Sequence, residues 1–286
     1  MVTGAGGQLA KALAQTADKG VECLMFGRDE CDMADDASIV QAVRSAAPAV
    51  IVNCAAYTAV DRAEGDIALA ARINGESVTT LTRAAVDCGA RLVQVSTDFV
   101  FDGASANLYR PDSATNPINV YGASKLVGER AALAYADALV LRTAWVHGAG
   151  GRNFVETMLR LMAEREALDV VSDQVGTPTH TLSLARAIWG LLEIGASGVW
   201  HFTDAGVCSW YDFAVAIHEE ALALNILTRD VAIRPIRSED YPQAARRPAF
   251  SVLDKADTWR ELGWISNHWR SELRLMLKCR KEQEIG

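Results

Sequence analysis

Val2-Thr3-Gly4-Ala5-Gly6-Gly7-Gln8-Leu9-Ala10 reads as the end of a strand, a glycine turn and the start of a helix. Gly4, Gly7 and Ala10 follow the spacing G-x-x-G-x-x-A, and Leu9 and Leu13 put an apolar side on the helix. Glycines let the backbone approach a diphosphate closely, and a helix N-terminus offers amide groups and a positive dipole end. At the head of a strand–helix–strand unit, Gly4 and Gly7 are therefore expected to cradle a dinucleotide. The first strand of such a unit usually brings several apolar residues before its glycines. Here almost none precede them, so a truncated or misassigned start is expected.

Outward from the turn, strand and helix patterns alternate strictly to about residue 145. Val21 to Phe26 suits a second strand ending at Gly27-Arg28. An acid usually stands at that end to accept from the ribose hydroxyls. Arg28 suits a 2′-phosphate instead, so NADPH is expected ahead of NADH, with Asp29 available for a ribose bond. Asp35 suits the N-cap of a helix carrying Ile39, Val43 and Ala46, with Pro48 past its end. Val50-Ile51-Val52 reads as a parallel strand covered on both faces. It runs into Asn53-Cys54-Ala55-Ala56-Tyr57-Thr58, whose small residues let a cofactor lie across the strand end.

A charged helical passage starts at Asp61, and Ile73, Val78, Leu81 and Ala85 mark one long helix ending near Gly89. Leu92 to Val95 forms the strand that delivers Ser96-Thr97-Asp98, and residues 102–117 form a polar loop. A helix then carries Tyr121 and Lys125, and Leu139 to Leu141 is a further strand. This alternation predicts an α/β fold, a doubly wound parallel sheet of Rossmann type, over residues 1–145. Parts of 170–225 are expected to complete it, and 146–286 to supply the remainder with a smaller C-terminal substrate-binding lobe. There, helices are expected over 154–163 and from Ser209, with a strand over 199–202.

Tyr121 and Lys125 are four residues apart, which places both on one helix face. An ammonium beside a phenol favours the phenolate and is expected to pull Tyr121 below its ordinary value of about 10. A phenol so tuned exchanges a proton near neutrality. Thr97, at the end of the preceding strand, would bring a hydroxyl to the same substrate oxygen. Downstream, Arg246-Arg247-Pro248 is a stiffened basic turn, and one of these arginines is expected to reach a substrate diphosphate.

Composition narrows the classes. The 286 residues carry a net charge of −8 and 22% charged residues, ordinary for a globular protein and opposed to a nucleic-acid partner. No run of about 18 apolar residues predicts a membrane span, and no basic or apolar leader opens the chain, so a cytoplasmic location is expected. The six cysteines form no C-x-x-C pair and the five histidines no ligand spacing, so free thiols and no metal are expected.

Taken together, the motifs resemble the extended short-chain dehydrogenase/reductases, and within them the dTDP-4-dehydrorhamnose reductase subfamily. They are G-A-G-G-Q-L at 4–9, N-C-A-A-Y-T-A-V-D-R-A-E at 53–64, S-T-D-F-V-F-D-G at 96–103 and Y-G-A-S-K at 121–125. R-T-A-W-V at 142–146, D-Q-V-G-T-P-T at 173–179 and R-P-A-F-S-V-L-D at 247–254 complete the set. The resemblance implies cofactor contacts from Gly7, Gln8, Leu9, Asp32, Met33, Ala56, Tyr57 and Thr58. It implies Tyr121 as catalytic acid, Lys125 on the nicotinamide ribose, Thr97 as the supporting hydroxyl, and Asp98 and Trp145 as substrate contacts. The implied reaction reduces the 4-keto group of dTDP-4-dehydro-L-rhamnose to dTDP-L-rhamnose. Two other readings stand beside it: a reductase of another dTDP-4-keto-deoxysugar, and a non-catalytic subunit similar to the regulatory subunit of methionine adenosyltransferase. Phe99 and Ala10 depart from the usual tyrosine and glycine. A homodimer is expected from the resemblance alone.

Overall fold

The computed structural model describes residues 1–285, with side chains to 283. Six parallel strands form the central sheet in the order Gly198–His201, Ala138–Thr143, Arg91–Thr97, Val50–Asn53, Val2–Thr3, Met25–Phe26. From Val2–Thr3 the chain steps outward to Met25–Phe26. It then returns to the other side at Val50–Asn53 and continues to Gly198–His201. The direction of winding therefore reverses between Val2–Thr3 and Val50–Asn53. Loops leaving the strand ends diverge at such a point and open a crevice there.

The inner strands Val50–Asn53, Arg91–Thr97 and Ala138–Thr143 bury both faces, in keeping with their largely apolar runs. Along them, alternate residues go to opposite layers. Ile51, Leu92 and Val140 pack with Ile39, Val43, Leu81 and Ala85 on one side. Val52, Val93, Leu139 and Leu141 pack with Leu13, Leu184, Ile188 and Phe202 on the other. A separate cluster around Phe213, Ile217, Met162, Leu273 and Met276 forms the C-terminal lobe. Its helices are Phe154–Glu164, Trp210–Ala223 and Trp269–Ile285, beside the paired strands Ala167–Val171 and Ala232–Ile236. Ser209 caps the middle helix through a reciprocal box with Asp212.

Two expected elements differ. The second strand is only Met25–Phe26, and Val21 is exposed. Its neighbour Val2–Thr3 is two residues long and offers no further pairing partner. The expected long helix is interrupted. Ile67–Ala71 passes into a π-helical turn, Arg72–Glu76, before Ser77–Cys88 resumes the α-helix. Asn74 and Gly75, both poor helix formers, occupy that turn. Gly89 ends the helix at φ +69, the left-handed position glycine occupies without strain. Among the described residues, no helix is long and apolar enough to cross a membrane.

Candidate active site

The crevice at the winding reversal is a cleft of about 1140 Å³. Its floor is a chain of side-chain hydrogen bonds across three strands. The Thr3 hydroxyl donates to Asn53 Oδ1 at 2.6 Å, Asn53 Nδ2 to Gln94 Oε1 at 2.8 Å, and Gln94 Nε2 to the Val95 carbonyl at 3.0 Å. The amide of Ala55 donates back to Thr3 Oγ1 at 3.3 Å. This ladder brings the backbone after Val50–Asn53 against the glycine turn. A Cβ on Gly4 would stand 2.9 Å from the Ala55 nitrogen, and Gly4 has φ +70, so the position requires glycine.

The turn fits a dinucleotide. No side chain caps the helix Gln8–Thr16, so its first amides face the cleft without a capping partner. Nothing stands within 4 Å of where a Cβ on Gly6 would be. Both features suit an anionic diphosphate drawn against backbone amides.

At the far end, Asn119 caps the helix Val120–Leu133 through the Gly122 amide and sets Tyr121 in its first turn. Gly122 is required by proximity, since a Cβ there would lie 2.1 Å from the Phe99 carbonyl oxygen. The Phe99 ring meets Tyr121 edge-on at 5.9 Å, so the departure at Phe99 acts in packing. Thr97 ends its strand with its hydroxyl donating to Asp98 Oδ1 at 3.1 Å and accepting from the Phe99 amide. Lys125 is buried, and its ammonium donates to the Val95 carbonyl at 2.6 Å.

The electrostatics correct one expectation. Burial pushes the Tyr121 phenol up to about 12, with the Thr97 hydroxyl pulling down and the Asp98 carboxylate pushing up. Burial brings Lys125 down to about 8, against the opposing pull of Glu129. Tyr121 is therefore not acidified in the ligand-free protein: taking the phenolate out of water outweighs whatever the nearby ammonium contributes. Burial also raises Asp98 to about 6.

The cleft is lined by Gly4, Gly7, Gln8, Leu9, Arg28, Asp32, Met33, Ala55, Ala56, Thr58, Thr97, Asp98, Tyr121, Lys125 and Trp145. The side chains of two further expected residues, Tyr57 and Arg247, have partners within the protein. Tyr57 turns its hydroxyl to Asp66 at 2.6 Å, while its backbone is held on both sides by Asn74. The guanidinium of Arg247 grips both oxygens of Asp61 at 2.9 and 2.7 Å. The Ala245 amide donates to the same carboxylate, and the Arg246 carbonyl accepts from Asn119 Nδ2 at 2.8 Å. The basic turn thus braces the start of the Tyr121 helix.

Asn74 was not foreseen. It is buried and joins the loop after Asn53 to the Tyr121 helix, donating to Ser124 Oγ at 3.0 Å while Ser124 donates to the Tyr121 carbonyl. Gly128 lets the two helices meet, because a Cβ there would be 2.1 Å from the Asn74 carbonyl oxygen. The available signal was an Asn-Gly pair inside an otherwise helical run.

Residues 1–281 match the family model described as the RmlD substrate binding domain. A dTDP-4-dehydrorhamnose reductase of Aggregatibacter actinomycetemcomitans is 38% identical over 96% of each chain. The chain belongs to this reductase family. A crystal structure of dTDP-4-dehydrorhamnose reductase from Bacillus anthracis in complex with NADP superposes with a TM-score of 0.90 at 34% identity, covering 97% of each chain. A dTDP-4-keto-6-deoxy-D-glucose reductase of Streptomyces niveus is 39% identical, over 96% of this chain and 94% of its own. Family membership accounts for the joint occurrence of the glycine turn, the Thr97 strand end and the Tyr121 helix in one cleft.

Proposed function

We propose that the protein reduces the 4-keto group of dTDP-4-dehydro-L-rhamnose to dTDP-L-rhamnose with NADPH. The observation that carries this reading is the meeting of Thr97, Tyr121 and Lys125 in one cleft with the uncapped Gly4–Leu9 turn, in a chain of this family. Gly4, Gly7, Gln8 and Leu9 would hold the cofactor diphosphate. Arg28, Asp32 and Met33 would flank its adenosine half, and Ala55, Ala56 and Thr58 would lie along its length. When bound, NADPH supplies the hydride that goes to the sugar's carbonyl carbon.

The protein's own part is placement and proton supply. Tyr121, held protonated by burial, gives its proton to O4 as negative charge develops there. The Thr97 hydroxyl turns from Asp98 to donate to the same oxygen. Lys125 has three protons, one of them used on the Val95 carbonyl, which leaves two for the nicotinamide ribose and the phenol oxygen. Its charge then stabilises the phenolate left behind. Asp98 and Trp145 contact the sugar, and a cytoplasmic homodimer remains the expected setting.

The Streptomyces relative favours a second reading in which the sugar is another dTDP-4-keto-deoxysugar. Consumption of NADPH, followed with dTDP-4-dehydro-L-rhamnose and with dTDP-4-keto-6-deoxyglucose in parallel, decides between them. Turnover of the first to dTDP-L-rhamnose is expected. Oxidation only with the second would replace the substrate, and none with either would leave the non-catalytic reading.

Arg28 carries a prediction on cofactor choice. Its side chain is 78% exposed and only loosely paired, 3.5 Å from Asp32, so it is free to meet a 2′-phosphate. Arg28→Ala is expected to raise the KM for NADPH by about tenfold, the loss of one exposed charge-assisted contact of roughly 1.4 kcal/mol. The KM for NADH should barely move. Equal effects on the two cofactors would remove Arg28 from this role.

A further inference from the structure

Trp145 follows the Ala138–Thr143 strand, whose last residue pairs with Thr97 in the sheet. Its backbone has φ +46. A bulky residue in the left-handed region is a strained outlier that persists only when its surroundings hold it. Three contacts hold it. Its carbonyl accepts from the Thr179 amide at 3.2 Å. Its ring lies flat on Trp210, with centroids 3.5 Å apart and planes 6° from parallel. Its edge lies against Gly176, where a Cβ would come within 2.7 Å of the indole.

Gly176 and Trp210 belong to one small construction. Val175–Gly176 pairs antiparallel with Cys208–Ser209, with Cys208 opposite Gly176. Ser209 caps the next helix, so Trp210 is its first residue and its direction is fixed by the cap. Phe154 packs behind Trp210 at 4.6 Å. The ribbon and the helix it leads into therefore make a slot that receives the Trp145 ring, with the Trp210 indole on one face and Gly176 against the edge. The D-Q-V-G-T-P-T stretch, otherwise without a part in the chemistry, supplies the glycine at its edge.

We infer that Trp210 and Gly176 are positioning residues that hold the Trp145 indole as a rigid wall against which the sugar ring of the sugar nucleotide seats. This rests on the proposed reaction. A deoxysugar offers an apolar C–H face suited to an aromatic surface, and a wall fixed before binding places the carbonyl without ordering a mobile side chain. The strain at Trp145 is then the cost of presenting the ring at that angle.

The test uses the intact protein and separates position from activity. Trp210→Ala is expected to lower kcat/KM for the sugar nucleotide by about 10- to 100-fold, the scale for a small misplacement at a reacting centre. The Kd for NADPH, from fluorescence titration, should stay within about twofold because the cofactor half of the cleft is untouched. Trp210→Phe keeps a ring to stack on and should restore most of the loss. Gly176→Ala should reproduce the loss while keeping every aromatic residue.

In ligand-free protein labelled with 5-fluorotryptophan, the Trp145 fluorine resonance, assigned through Trp145→Phe, should shift in Gly176→Ala and Trp210→Ala. In the wild type it should respond to dTDP-L-rhamnose. If that resonance stays in place in both variants, the slot does not position the ring and the inference fails. If it moves while kcat/KM is unchanged, the ring's position does not matter to the sugar and the inference also fails. Should Trp210→Ala not fold, Gly176→Ala and Trp210→Phe decide. Absence of wild-type turnover would overturn the proposed reaction instead, leaving the ligand-free resonance to judge the slot.

Discussion

Tyr121→Phe is expected to lower kcat by roughly 10²- to 10⁴-fold, the range for a lost general acid, while leaving NADPH binding almost intact. The ring remains against Phe99, so packing changes little and only the proton donor goes. Lys125→Met should do more, lowering kcat and raising the KM for NADPH together, because it removes both the charge beside the phenol and the proposed ribose contact. Thr97→Val should be milder than either, and Thr97→Ser milder still, since serine keeps the hydroxyl.

The pH dependence follows from the two shifts. Tyr121, raised to about 12, stays protonated across the working range. Lys125, lowered to about 8, loses its charge first as pH rises. The active ammonium form is present below that value, so kcat/KM should hold between about 6, where Asp98 takes up a proton, and 8, and fall as pH passes through 8. A basic limb near 10 or above would assign it to another group. Wild-type turnover by Tyr121→Phe would move the proton source elsewhere and end this account of the centre.

Glu129→Gln is expected to cost roughly 3–5 kcal/mol of stability, the penalty for leaving one member of a buried ion pair uncompensated. Glu129 and Arg142 are both buried and joined twice, at 2.9 and 2.8 Å. Ser96 also donates to Glu129, and Arg142 lies over the Phe101 ring at 5.1 Å. Removal of the carboxylate leaves the buried guanidinium without its counter-charge. Replacing both ends, as Glu129→Leu with Arg142→Met, should recover much of the loss, since the desolvation of both charges disappears together.

The same carboxylate is the main influence raising Lys125 against burial. Glu129→Gln should therefore move the basic limb of the pH profile to lower pH. Urea unfolding and the pH–rate profile check the two effects separately. An unchanged unfolding midpoint together with an unchanged limb would show that the pair neither braces the fold nor tunes the lysine.

The amino-acid sequence by itself determined the alternation, the glycine turn and the Tyr121–Lys125 helix. These are local properties. Continuous apolar runs such as Val50-Ile51-Val52 specify buried parallel strands. Gly89 and Asp35 mark helix ends through their own backbone and side-chain preferences. A four-residue spacing sets two side chains on one face wherever a helix forms.

What the tertiary structure decided depends on neighbours distant in the chain. The length of the second strand was set by the two residues available to pair with it. Arg247 met Asp61, 186 residues away. Asn74 acquired its role only when Gly128 let a second helix approach, and Trp145 only when a ribbon from residues 175–176 and 208–209 closed around it. The direction of the Tyr121 shift belongs here as well. Spacing shows that an ammonium is near, but burial determines what ionisation costs, and burial exists only after the chain has folded around the phenol.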